Sequence, residues 1–372
     1  MNKNDMIAVK AGLILRGEKL ETTTDACIWI KDGVIEAITS SASCPTHYIG
    51  TSSILVTPQP VLAHVHSMDH AFPEYGINKN ISELVAYPNG EKHARLKALT
   101  RDKMIAYTAE YYRYAWRLGV GLVVDFRELG GLGCTTAKEA YQIIPEGLSL
   151  IVLGRPGPEW PKGCDGLGIS SPLDYSKNEL RKLVNSVPIA VTHIAETREM
   201  REQGDLEIAL DTGFQVLIHG TYLDEDDIAK ISSEKRSLVL CTRSNMWHGL
   251  QIPPIDVVVK LGVDFGLGTD NAAWLPPDPW SEAMTLLLAG RLRGYKEALL
   301  AKRILDGLYI NGYTMYGLEP RVVEEGVKAN FLLWNVEDTG LYRAEDVYVG
   351  VVKRLVSARL LARIDKGVIS WV

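Results

Sequence analysis

The stretch ILVTPQPVLAHVH, residues 54–66, decides the fold. It is an almost uninterrupted apolar run that ends in two histidines spaced i and i+2. A run without polar alternation reads as a strand buried on both faces, the habit of parallel sheets covered by helices. Seven further runs of this kind follow: VGLVVDF ending at Phe126, LSLIVLG at Gly154, DGLGIS at Ser170, PIAVTH at His193, FQVLIH at His219, SLVLC at Cys241 and VDFGLGTD at Asp270. Longer amphipathic stretches separate them, among them 102–118 and 176–184, as parallel strands with helical crossovers require. Eight strands alternating with helices predict a (β/α)8 TIM barrel, an α/β fold whose chemistry gathers at the carboxyl ends of the strands.

Both chain ends have a different texture. Short apolar runs flank the turn Lys31-Asp32-Gly33 near the start. ANFLLWN, VYVGVVKR and ARLLARI, then the turn Asp365-Lys366-Gly367, do the same near the end. Such turns between β-rich runs signal hairpins. The two ends are therefore expected to pair into one flanking β-sandwich domain, with its parts at 1–56 and 321–372 and the barrel at 57–320. No internal repeat or low-complexity segment interrupts this plan.

Composition narrows the function classes. The chain has 372 residues, 40 Lys plus Arg against 46 Asp plus Glu, a net charge of −6 and 46% hydrophobic residues. That is a globular composition with enough apolar material for a large core. No basic block marks a nucleic-acid binder, and no apolar run reaches membrane-spanning length. Lys10 breaks the apolar stretch at the amino terminus and no small-residue cleavage site follows, which does not read as a leader. The five cysteines are odd in number, scattered and free of any C-x-x-C pair, so reduced thiols and a cytoplasmic location are expected.

The informative residues are those that end the strands. His64 and His66 project to one side of an extended chain and can grip a single metal ion. His193, His219 and Asp270 end three other strands. With only 8 histidines in 372 residues, chance would rarely bring so many to one barrel mouth.

The motifs His64-Val65-His66, His193-Ile194-Ala195-Glu196, Ile218-His219-Gly220, Cys241-Thr-Arg-Ser-Asn245 and Leu267-Gly-Thr-Asp270-Asn271 resemble the ordered signature of the amidohydrolase superfamily. The H-x-A-E and S-N elements are similar to those of its branch of cytosine, guanine and adenosylhomocysteine deaminases and triazine hydrolases. Asn89-Gly-Glu-Lys-His93 and Asp125-Phe-Arg-Glu128 further resemble an uncharacterised archaeal subset of that branch. The resemblance implies that His64, His66, His193 and Asp270 hold one divalent ion with a position open to water. Zinc is the first choice, and Fe2+, Mn2+ or Ni2+ accept similar ligands. It also implies that hydroxide formed on the metal attacks the substrate, that Asp270 takes the proton, that Glu196 serves as general acid and base, and that His219 orients the water. Binuclear relatives carry a carboxylated lysine at the end of the fourth strand; DGLGISS has none, which favours one metal. Thr242 stands where proline is common, Asn330 where aspartate is usual, and the region after the first strand is short, so the resemblance fixes no particular substrate.

The implied activity is hydrolysis of a carbon–nitrogen bond outside peptides, deaminating a small purine, pyrimidine or pterin type of heterocycle. Hydrolysis of a cyclic amide or of another leaving group on the same site is the alternative, and a catalytically silent binding barrel is the non-enzymatic one. Lys92, His93, Arg127, Ser244 and Asn245 are candidate substrate contacts, against the plainer roles of solvated loop charges and hydrogen-bonded turns. His70 is expected in loop packing or behind the metal site, and His47 and His248 as structural or surface residues. The acids 224–227 suit a helix start, and Gly130-Gly-Leu-Gly133 suits a tight turn rather than a phosphate cradle. Outer barrel helices would support a homodimer.

Overall fold

The computed structural model describes residues 6–372; residues 1–5, part of the stretch read above for a leader, lie outside the described residues. Strands β1 (Ile7–Arg16), β2 (Glu21–Lys31), β3 (Val34–Ser40) and β4 (Ile49–Thr57) open the chain. Nine parallel strands follow: β5 (Val61–His66), β6 (Leu122–Arg127), β7 (Ser149–Gly154), β8 (Gly166–Ile169), β9 (Ala190–Ile194), β10 (Val216–His219), β11 (Ser237–Leu240), β12 (Phe265–Leu267) and β13 (Asp270–Asn271). Strands β14 (Phe331–Asn335), β15 (Arg359–Asp365) and β16 (Val368–Trp371) close it.

The nine strands form one curled sheet in the order β12-β11-β10-β9-β8-β7-β6-β5-β13. Only Gly268 and Thr269 separate β12, which pairs with β11, from β13, which pairs with β5 through Asp270 and Val65. One run of chain thus joins both ends of the sheet. Gly268 permits this, because a Cβ there would stand 2.8 Å from the His64 carbonyl oxygen. Alternate residues of the strands, including Val61, Leu122, Val124, Leu153, Val191, Ile218 and Val239, fill the inside as a packed apolar core, as in parallel barrels. The expected helices appear at Arg101–Arg117 and Lys177–Asn185. The acids 224–227 do start a helix: Asp224 caps it and accepts from the Asp227 N–H at 2.9 Å.

Both chain ends meet in a seven-stranded sheet of order β16-β15-β14-β4-β1-β2-β3. The two hairpins sit where the turn residues put them. Asp32 and Gly33 have φ 51° and 79°, Lys366 and Gly367 have 49° and 81°, the doubly left-handed geometry of a tight hairpin turn. Buried Arg363 ties this sheet to the helix Arg101–Arg117 that precedes β6, donating to the Trp116 carbonyl at 2.9 Å while paired with Asp365 at 2.7 Å.

Three expectations need correction. The run 54–64 is two strands in two sheets, since Pro58 and Pro60 supply no N–H for a ladder and the chain crosses between sheets at 58–60. VYVGVVKR is the helix Val347–Arg354: Asp346 caps it, accepting from the Val349 N–H at 2.8 Å, and burial of Val351 and Val352 outweighs their β preference. Cys27 pairs with Cys44 and Cys134 with Cys164 as disulfides, leaving Cys241 free and buried. The partners are brought together by tertiary folding, which spacing along the chain does not display. Among the described residues, no helix is long and apolar enough to cross a membrane.

Candidate active site

His64 and His66 occupy the end of β5, His193 the end of β9, His219 the end of β10, and Asp270 starts β13. The side chains converge. His64 Nε2 lies 3.2 Å from Asp270 Oδ1 and 3.3 Å from His193 Nε2, and His66 Nε2 lies 3.6 Å from the same Asp270 oxygen. One ligand atom each from His64, His193, His219 and Asp270 fall within 4.8 Å of one another. This tightest group includes His219, which the sequence places beside a metal rather than on it, while His66 stands at its edge.

The local backbone is built for this aim. Ala195, His219 and Asp270 have φ of 46°, 72° and 57°. Non-glycine residues seldom adopt this left-handed conformation, and where they do it commonly serves a functional site. Buried Asp205 accepts from the Ala195 N–H and from the Leu206 N–H at 2.7 Å, pinning the loop that carries Glu196.

Hydrogen bonds set which nitrogens face inward. His193 Nδ1 donates to the Ile169 carbonyl at 2.8 Å, and His219 Nδ1 to Asn245 Oδ1 at 3.1 Å. Each ring therefore turns its Nε2 to the cluster. His219 Nε2 is buried without a partner. Burial lowers the His64 imidazole to about 3 and holds His193 well below the usual range, so both are neutral, as metal ligands must be. Burial by itself would raise Asp270; the His64 hydrogen bond and the surrounding imidazoles reverse this and keep it a carboxylate. Neutral imidazoles around one carboxylate oxygen, with a buried nitrogen lacking any partner, fit a divalent ion of the zinc type.

A cavity of about 430 Å³ opens beside the cluster, within the usual range of small-molecule sites. Glu196 lines it, its side chain 14% exposed, with Oε1 3.6 Å from His219 Nε2. Burial pushes the Glu196 carboxyl above its ordinary range. Val85, Tyr87, Leu173, Met200 and Trp274 supply apolar wall. His248, half-buried, also lines the cavity, its ring 4.8 Å from that of Trp274.

The candidate substrate contacts divide. His93 lines the cavity and bonds the Val85 carbonyl at 3.2 Å. Lys92 also borders it, but its ammonium is taken up by Asp69 at 2.8 Å, Glu128 at 2.6 Å and His66 Nδ1 at 3.1 Å. Arg127 is turned away from the cavity. It is 1% exposed, and Gly133, Ser67, Thr108, Asp125 and Thr136 occupy its donors, so it braces the β6 end instead of meeting a ligand. Ser244 donates to Asp270 Oδ2, and Asn245 holds His219 and Thr221; both stand behind the cluster and outside the cavity lining. His70 is outside it too, 3.8 Å from Glu110. Sequence reasoning missed Asp69, Glu128, Asp205 and Trp274, although Asp69 and Glu128 adjoin residues it had singled out.

The chain is similar to known proteins. A family model described as the amidohydrolase family matches residues 165–359, more than half of the chain. A putative aminohydrolase of Methanothermobacter thermautotrophicus is 28% identical, with 98% of each chain covered. A 5-methylthioadenosine/S-adenosylhomocysteine deaminase of Pyrococcus furiosus is 24% identical over 88% of this chain and 86% of its own. The crystal structure of an atrazine chlorohydrolase of Arthrobacter aurescens complexed with zinc shares the fold at a TM-score of 0.79 and 15% identity, covering 98% of this chain and 94% of that one.

Proposed function

The chain belongs to the amidohydrolase family and is a metal-dependent aminohydrolase-type enzyme; from that premise we propose that it hydrolytically deaminates an aminated heterocycle, of purine type before pyrimidine or pterin. The observation that carries the proposal is the placement of Glu196 3.6 Å from His219, at the wall of the same cavity onto which His66, His193, His219 and Asp270 open. The purine preference leans on the relatives whose names specify methylthioadenosine or adenosylhomocysteine. We read the curled sheet with its helices as a (β/α)8 barrel and the seven-stranded sheet as its flanking β-sandwich domain.

His64, His66, His193 and Asp270 would hold a single divalent ion, zinc by preference, with His219 turned toward the same point. When bound, such an ion acts as a Lewis acid that lowers the pKa of coordinated water toward about 7. The chain's own residues do the rest. Asp270 accepts a proton from the attacking water, and His219, through its unpartnered Nε2, orients that water. Glu196 donates a proton to the ring nitrogen next to the carbon under attack. It then takes the proton of the newly added hydroxyl and passes it to the amine as the carbon–nitrogen bond breaks, and the proton held by Asp270 returns to Glu196 through solvent, so that substrate and water yield the oxo heterocycle and ammonia. A carboxyl raised by burial is suited to donate first and accept later. Trp274 and the aliphatic wall would sandwich a flat ring, with His93 and His248 at its edge.

The test is ammonia release from metal-loaded protein against a panel of aminopurines, aminopyrimidines, pterins and cyclic amides. One ammonia per oxo product supports the proposal. Turnover of cyclic amides without ammonia, or no turnover in the panel, would contradict it.

A further inference from the structure

Behind His66 lies a second polar cluster that the proposed reaction does not use. The Lys92 ammonium, 4% exposed, sits between Asp69 Oδ2 at 2.8 Å and Glu128 Oε1 at 2.6 Å, with His66 Nδ1 at 3.1 Å. Two carboxylates and an imidazole nitrogen around one point form the donor set that zinc prefers. Asp69 Oδ1 and Glu128 Oε2 are also buried without hydrogen-bond partners, on residues only 1% and 5% exposed. An ammonium has three protons to give and leaves these oxygens unmatched; a small divalent ion would draw carboxylates in more fully.

We infer that Lys92 is an internal cation standing where a second divalent ion would otherwise bind, in a cradle made by Asp69, Glu128 and the outer nitrogen of His66. Two buried carboxylates facing one another repel strongly at low dielectric, and a positive charge between them offsets that repulsion. A tethered lysine supplies that charge permanently. Lys92 is thus a positioning residue that keeps the centre mononuclear. The inference concerns the cradle alone, and the proposed deamination can stand or fall without it.

The experiment measures bound zinc per chain, after equilibration with excess zinc and removal of free ion, for the wild type, Lys92→Ala, Lys92→Ser and Lys92→Ala/Glu128→Gln. The expected result is a gain of about one equivalent on removing Lys92, lost again when Glu128 is also neutralised, because metal sites need deprotonated ligands. Cobalt in place of zinc should reveal magnetically coupled ions in Lys92→Ala and an isolated ion in the wild type. Unchanged stoichiometry in the folded lysine variants would overturn the inference, as would two coupled ions in the wild type. Failure of both variants to fold even with zinc present would also overturn it, since the metal is held to replace the ammonium. Absence of zinc from the wild type would count against the proposed function instead, because the gain on removing Lys92 is read as a difference.

Discussion

His64 Nε2 stands 3.2 Å from Asp270 Oδ1 although 206 residues separate them, because the last strand of the curled sheet pairs back onto β5. The carboxylate is therefore shared among imidazoles contributed by different strands. Asp270→Asn keeps the shape and removes the charge. It should leave the fold intact by circular dichroism and weaken zinc more than about tenfold in chelator competition, beyond the lower end of what loss of an outer partner costs. Unaltered zinc affinity would mean that Asp270 is no ligand.

We propose a proton-transfer role for Glu196 and no metal-binding role. Glu196→Gln should lower kcat by about 10²–10⁴, the usual worth of a positioned acid or base, with zinc content unchanged. Loss of zinc together with activity would assign Glu196 to the metal instead.

The cavity lining is acidic. Among its described residues are Glu128, Asp174, Glu196, Glu199 and Asp270, whereas Lys92 is the one lysine or arginine and is already paired. A phosphorylated substrate would meet like charges, which cost several kcal/mol at an interface. A nucleoside is thus expected to have a KM at least about tenfold below that of its monophosphate, and equal values in steady-state kinetics would refute this.

Glu282 is fully buried and accepts from the Arg243 N–H at 3.2 Å, with Oε2 unpartnered. Burial pushes its carboxyl from 4.5 up to about 7. Between those values the folded protein holds a proton that the unfolded chain has lost. Its contribution is fully present below pH 4.5 and falls away as pH rises through 7, by at most roughly 3 kcal/mol. Glu282→Gln stays neutral, so its stability relative to wild type in urea unfolding should climb across that window and level off above it. A difference independent of pH would show that Glu282 is ionised throughout.

Much of this was legible in the sequence for a physical reason. Buried parallel strands need continuous apolar runs, and histidines and an acid closing such runs stand out against them, so His64, His193, His219 and Asp270 could be picked out as candidates. Roles set by what lies opposite a side chain were not legible. Arg127 and Lys92 look alike as loop cations, yet one braces a strand end and the other lies against His66. The same limit hid the disulfide partners of Cys27 and Cys134 and the helix in VYVGVVKR, where a cap and a packing surface decide against local preference. The left-handed backbone at Ala195 has no signal in the residue type.

The most direct test of the account is an anomalous-difference map from crystals of the zinc-loaded wild type, collected on both sides of the zinc edge. The account predicts one strong peak per chain, within ligand distance of His64, His193 and Asp270 and bordered by His66 and His219. A map with no peak there, or with zinc only at surface carboxylates, would contradict it.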